Sequence, residues 1–196
     1  VRPTSGSVTI LGSRYRDLRA RAARVGALLD ASGFHPGRSG RNALRVIAMG
    51  AGIPDARVDE TLELDELQGA ARRAVKGYST GMKQRLALAA SLLGDPEVLI
   101  LDEPANGLDP EGMLWLRTFL RRQASEGRTV VVSSHVLAEV EQTVDDILIM
   151  SKGKLLAQGP MRKLTASAQP VVRARSPQAE KLEATLRSSG AAVNRL

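Results

Sequence analysis

The chain has 196 residues, 43% of them hydrophobic and 25% charged, the balance of an ordinary globular domain with a sizeable core. No apolar run reaches the roughly 18 residues that a membrane-crossing helix needs; the opening Val1-Arg2-Pro3-Thr4-Ser5-Gly6 is not read as a secretory leader, and without cysteine there is neither a disulfide framework nor a thiolate metal site. The formal charge of +7 raises nucleic acid or an anionic membrane as partner, but the arginines are scattered in short groups such as Arg14-Tyr15-Arg16 and Arg121-Arg122, and an aromatic content of 3% supplies no base-stacking platform, so no nucleic-acid partner is expected.

No internal repeat interrupts the chain. Val8 to Leu11 reads as a strand ended by Gly12, and Val25 to Leu29 as a second short apolar run. A loop of Gly, Pro and Ser from Ser32 to Gly40 precedes an expected helix over Asn42 to Met49, and Arg57 to Leu67 reads as another. Met82 to Leu93 is rich in Leu and Ala, both strong helix formers, and Gly94-Asp95-Pro96 stops it. Val98-Leu99-Ile100-Leu101 then ends abruptly in Asp102-Glu103-Pro104, as a buried parallel strand would. Glu111 to Ala124 is a helix closed near Gly127, and Thr129 to Val132 a strand running into Ser133-Ser134-His135. A helix over Val136 to Thr143, a strand over Ile147 to Met150 and a hairpin partner at Lys154 to Ala157 follow. Beyond Gly159, Val171 to Ala174 and a helical stretch from Gln178 to Arg187 predict a small β-α-β appendage. The alternation of strand and helix implies an α/β domain with a mainly parallel sheet. Ligands gather at the carboxyl ends of such strands, where Asp102, Glu103 and His135 stand.

Four stretches carry candidate chemistry. Tyr78 to Arg85 opens a helix with Ser79, Thr80 and Gly81, where free backbone N–H groups, a hydroxyl and a glycine suit a phosphate; a plain helix cap with Gly81 incidental is the other reading. Asp102-Glu103 leaving a buried strand suits water-mediated Mg2+ binding beside a carboxylate that polarises water, or it simply begins an acidic loop stopped by Pro104. Asn106-Gly107-Leu108-Asp109-Pro110 is a turn and a capped helix with Pro at its first position, a reading compatible with a further role. His135 either hydrogen-bonds a phosphate or an attacking water, or is an ordinary loop residue; His35 is read only in the second way.

Order and spacing decide. Gly77-Tyr-Ser-Thr-Gly-Met-Lys-Gln-Arg-Leu-Ala-Leu-Ala89, Leu99-Ile-Leu-Asp-Glu-Pro104, Asn106-Gly-Leu-Asp-Pro110 and Ser133-Ser-His135 together resemble an ABC transporter ATPase. They closely resemble the multidrug and bacitracin-export type, with Ser-Thr-Gly-Met in the signature, and the resemblance runs from about Pro3 to Pro160. It implies a phosphate-loop NTPase-type α/β fold with a helical subdomain, and the cofactors ATP and Mg2+. It also implies a cytoplasmic chain, peripheral on the inner face of the plasma membrane, that pairs with a second ATPase subunit, identical or different, and with a separate transmembrane permease. By that resemblance residues 1–160 are a partial nucleotide-binding domain, about 31–95 its helical signature subdomain, and 161–196 an appendage. Ser79, Thr80, Gly81, Met82 and Gln84 would be the signature closing on ATP of the opposite subunit, Asp102 the Mg2+ carboxylate and Glu103 the catalytic base. Asp109 would lie in the loop linking the two nucleotide sites, and His135 would be the switch histidine near the γ-phosphate.

Two departures from the family pattern stand out. No Gly-x-x-x-x-Gly-Lys-Ser/Thr occurs in the 196 residues, since Gly153-Lys154 is followed by Leu155 and position 148 is Leu. The phosphate loop, its lysine and its preceding strands are therefore expected upstream of Val1, and this chain alone is expected to turn over ATP poorly. The family's loop glutamine corresponds to Asp30 here. Two other classes remain: a non-catalytic subunit that lends only its signature to another ATPase, which has no need of Glu103 and His135, and an ATPase acting on DNA or ribosomes, whose heptad arms or second cassette are absent from the sequence.

Overall fold

The computed structural model describes residues 4–29, 33–163, 176–190 and 192–193. They divide into two compact units, Val1–Thr143 and Val144–Leu196.

The first unit is built on a parallel sheet of three strands in the order β1 (Val25–Leu28), β2 (Val98–Leu101) and β3 (Thr129–Val132). Val25 lies opposite Val98, which lies opposite Thr129; Leu28, Leu101 and Val132 end the strands at one level. Val98, Leu99 and Leu101 of the central strand are buried, which is why this run lacks the polar alternation of a half-exposed strand.

Three helices form a cluster beside the sheet: α1 (Gly40–Ala51), α2 (Ala56–Leu64) and α3 (Thr80–Leu92). Ser39 caps α1 by accepting from the Asn42 N–H, and Gly52, at φ 68°, ends it in the left-handed conformation glycine tolerates. Arg41 of α1 donates to both Asp55 and Asp59 at the start of α2, all at 2.8 Å, and holds the Asp59 carboxyl below its usual range. Leu44, Val58, Leu62, Leu86 and Ala89 make the core of this cluster. Leu88 and Leu92 of the same α3 join a second core with Leu28, Leu99, Leu101 and, from α4 (Pro110–Ser125), Leu116, Phe119 and Leu120. Serving two cores, α3 is apolar on more than one side, unlike a surface helix with a single stripe. A β-carbon at Gly26 would lie 2.1 Å from the carbonyl oxygen of Ser91, so only glycine lets β1 seat this closely under α3.

The structure departs from sequence expectation at several places. Val8 to Leu11 forms no strand: Ile10 and Ser13 exchange backbone hydrogen bonds across a tight turn with Leu11 at φ 53° and Gly12 at φ 75°, and Val8 is exposed with no partner face to cover it. The second helix stops at Leu64 because Glu66 adopts φ 57°, outside any right-handed helix. The helix expected to reach Thr143 is confined to α5, Leu137–Val140. In the second unit β4 (Asp146–Ser151) and β5 (Lys154–Pro160) form an antiparallel hairpin through Lys152 and Gly153, both at positive φ as a tight two-residue turn requires. Helix α6 (Ala179–Ser188) matches the expected helical stretch, whereas Val171 to Ala174 lie outside the described residues.

Candidate functional site

Because the strands are in register, the residues that follow β2 and β3 emerge side by side. The Ser133 Oγ donates to Asp102 Oδ1 and accepts the backbone N–H of Glu103 at 2.9 Å. Glu103 sits at φ 46°, a left-handed conformation costing a non-glycine residue on the order of 1–3 kcal/mol. That twist aims its amide at Ser133 and its carboxylate at His135, whose Nδ1 lies 2.9 Å from Glu103 Oε1. Asp102 and His135 are exposed and Glu103 half-buried, so the three face a surface open to a ligand. The donors here are oxygen and one imidazole, and among the described residues no three His, Cys, Asp or Glu gather into a metal cage. Such a set fits Mg2+, which keeps several waters and is shared with phosphate, and does not fit a structural zinc ion.

The second constellation lies where α3 and α4 begin. Ser79 caps α3, its Oγ accepting the Met82 N–H at 3.2 Å, which leaves the hydroxyl hydrogen able to donate outward. Ser79 and Thr80 are exposed. Tyr78 just before them is buried, donates its hydroxyl to the Ala70 carbonyl at 2.7 Å and lies so close to Gly40 that a β-carbon there would stand 2.2 Å from the Tyr78 oxygen. Burial pushes the Tyr78 phenol up. Asp109 caps α4 in the same manner, Oδ1 accepting the Gly112 N–H at 2.8 Å, with Pro110 at the first helical position. The two caps belong together: a β-carbon at Gly81 would meet Leu108 Cδ2 at 3.6 Å, and one at Gly107 would stand 2.8 Å from Thr80 Cγ2. Gly107, at φ 73°, is glycine for two reasons, its backbone and its neighbour.

The ABC transporter family model matches residues 1–106. The chain is 39% identical over 159 residues to the bacitracin transport ATP-binding protein BcrA of Enterococcus faecalis, covering 80% of this chain and 52% of that protein. It is 37% identical over 160 residues to the lantibiotic transport ATP-binding protein SrtF of Streptococcus pyogenes, covering 81% and 68%. The chain belongs to the ABC transporter family. Among solved structures, cbiO1 of Clostridium perfringens, part of the ABC transporter complex cbiONQ, superposes with a TM-score of 0.73 at 25% identity over 85% of this chain and 70% of that one. The chain spans about half the length of the bacitracin relative it matches.

The chain has the α/β architecture expected of the family, a parallel sheet with helices beside it. The structure brings Asp102, Glu103 and His135 together through Ser133 and sets Thr80 and Gly81, next to the cap Ser79, against the loop of Asp109. Met82 is half-buried behind them, and Gln84 is only 5% exposed, beneath the rim rather than on it. Asp30 lies outside the described residues. Sequence reasoning gave no role to Ser133, whose signal was a hydroxyl opposite Asp102 on the adjacent strand. It also passed over Asp65, fully buried with neither oxygen hydrogen-bonded, for which the apolar flanks Leu64 and Leu67 were the clue. No described helix is long and apolar enough to cross a membrane.

Proposed function

We propose that this chain is the ATP-binding and ATP-hydrolysing part of an exporter of multidrug or antibiotic type, acting as a dimer with a second such subunit, identical or different, and driving a separate membrane permease from the inner face of the plasma membrane. The convergence of Asp102, Glu103, Ser133 and His135 carries the reading, since it joins a hard-cation carboxylate, a base and an imidazole on one open surface. Asp102 would hold Mg2+, oriented by Ser133; the bound ion neutralises charge on the phosphates of ATP. Glu103 polarises the attacking water, and His135 fixes the Glu103 carboxylate while reaching toward the γ-phosphate. Ser79, Thr80 and Gly81 present a hydroxyl and first-turn amides to ATP held by the partner, backed by Met82 and Gln84. Asp109 stands between the two sites. Asp30 takes the place of the family's loop glutamine by sequence position alone. Similarity to proteins of bacitracin and lantibiotic transport supports the antibiotic-type reading. The contact between Glu103 and His135 weighs against a subunit that only lends its signature.

The 196-residue polypeptide by itself would turn over ATP slowly, since none of its residues forms the lysine-bearing cradle for its own phosphates. An intact homologous subunit with its own signature serine replaced by arginine supplies the test. Adding this chain is expected to restore Mg-ATP turnover, and adding the Ser79→Arg chain is not. Equal stimulation by both, or by neither, would exclude the signature role.

A further inference from the structure

The signature and the Asp109 loop stand at the starts of two helices, α3 and α4. Thr80 lies against Gly107 and Gly81 against Leu108, while further along the two helices Leu88 and Leu92 share the sheet-side core with Leu116, Phe119 and Leu120. A further contact lies between the caps and that core. Arg85 stands six residues after the cap Ser79, and Trp115 six residues after the cap Asp109. The Arg85 guanidinium carbon lies 4.2 Å from the centre of the Trp115 ring, well within the range in which a cation is held by an aromatic face.

Both partners are anchored behind the contact. Arg85 Nη1 donates to Glu66 Oε2 at 2.6 Å, two residues beyond the end of α2, and its side chain is only 21% exposed. Trp115 stacks on Phe119 with centroids 5.3 Å apart and planes at 22°, and Phe119 is part of the sheet-side core. Arg85 thus ties α2 and α3 to α4, and Trp115 transmits that tie to the core under the sheet.

We infer that Arg85 and Trp115 form a positioning clamp that fixes the angle between α3 and α4, so that the Ser79–Gly81 turn and the Asp109 loop engage one nucleotide site of the partner together. This rests on the signature reading above. Neither residue touches nucleotide; each acts through the helix it stands on. A planar guanidinium on a planar ring sets orientation as well as distance, which an aliphatic pair of equal volume does not.

Amide hydrogen exchange of the 196-residue chain tests the clamp without any activity. Arg85→Met and Trp115→Leu are expected to raise exchange at Met82–Arg85 and Gly112–Trp115 at least fivefold while β1–β3 stay as in the wild type, and Trp115→Phe is expected to stay close to wild type. No change at those segments, or an equal rise in the strands, overturns the clamp. In the mixed assay with the signature-blocked subunit, Arg85→Met and Trp115→Leu should lower kcat about tenfold with KM for ATP within twofold, and Trp115→Phe should recover most of the loss. Unaltered kcat beside an active wild type overturns the positioning role. A wild-type chain that gives no stimulation instead counts against the signature reading, while the exchange result still decides the clamp.

Discussion

His135 Nδ1 and Glu103 Oε1 lie 2.9 Å apart although 32 residues separate them in sequence. Two ordinary features produce the contact: parallel strands ending in register, and a Glu103 backbone turned into the left-handed region. An imidazole in that place gives the carboxylate a hydrogen-bonding partner, which would favour the preorganised orientation that the proposed water-polarising role needs.

The pair predicts unequal losses of activity. In a chimera joining the phosphate-loop segment of a bacitracin-type relative to residues 1–196, Glu103→Gln should cut ATP turnover by roughly 10²–10⁴-fold, the usual contribution of a general base. His135→Ala should cost less, since Glu103 keeps its chemistry and loses only its restraint. Steady-state ATPase rates with nucleotide affinity measured alongside would check this; a larger loss for His135→Ala contradicts the assignment of base and positioner.

Ser133→Ala removes both an acceptor for the Glu103 amide and a donor to Asp102. The site is solvent-accessible, so water replaces part of the loss and the expected destabilisation is about 1 kcal/mol. Chemical denaturation gives that figure. Metal affinity in the chimera should fall more than stability does, because Asp102 loses its orienting partner.

Gly107→Ala should destabilise by about 2 kcal/mol, combining the left-handed backbone penalty with crowding against Thr80 Cγ2. Thr80→Ser deletes that methyl group, so the double variant should recover the steric share and keep the backbone share. A double-mutant cycle by urea unfolding measures the coupling, and simple additivity would refute the contact.

Asp65 predicts a stability that falls with pH. Its carboxyl is fully buried without a hydrogen bond, and desolvation holds its pKa well above the usual value against the opposing charges of Arg85 and Arg122, with Glu66 adding to the rise. The unfolded chain releases this proton near pH 4, whereas the folded chain retains it. The stability from protonated Asp65 is therefore fully present below pH 4 and is lost as pH rises toward the folded value, at up to about 1.4 kcal/mol per unit. Asp65→Leu should flatten that part of the profile and gain on the order of 1–3 kcal/mol near neutral pH. Urea midpoints of both proteins from pH 4 to 8 would show it.

The sheet was legible because each of its strands is a short apolar run with a polar residue at its end, and β2 and β3 fall on Val98–Leu101 and Thr129–Val132 as expected. Val8–Leu11 misled because four β-prone residues look alike whether or not a neighbour pairs with them; Leu11 and Gly12 turn instead. The caps at Ser79 and Asp109 were visible from residue type, but their mutual contact was not, since it depends on how α3 and α4 leave the fold. Ser133 and the Glu103 backbone twist belong to register and φ, neither of which a local sequence window encodes.

Helix α3 contributes Leu86 and Ala89 to one core and Leu88 and Leu92 to the other. Consecutive positions of one segment are therefore judged by unrelated sets of neighbours, and a change of volume on either side disturbs a different half of the unit. In a saturation library this helix should be the least permissive stretch of the chain, admitting neither the polar substitutions a surface helix accepts nor the compensating swaps a single core allows.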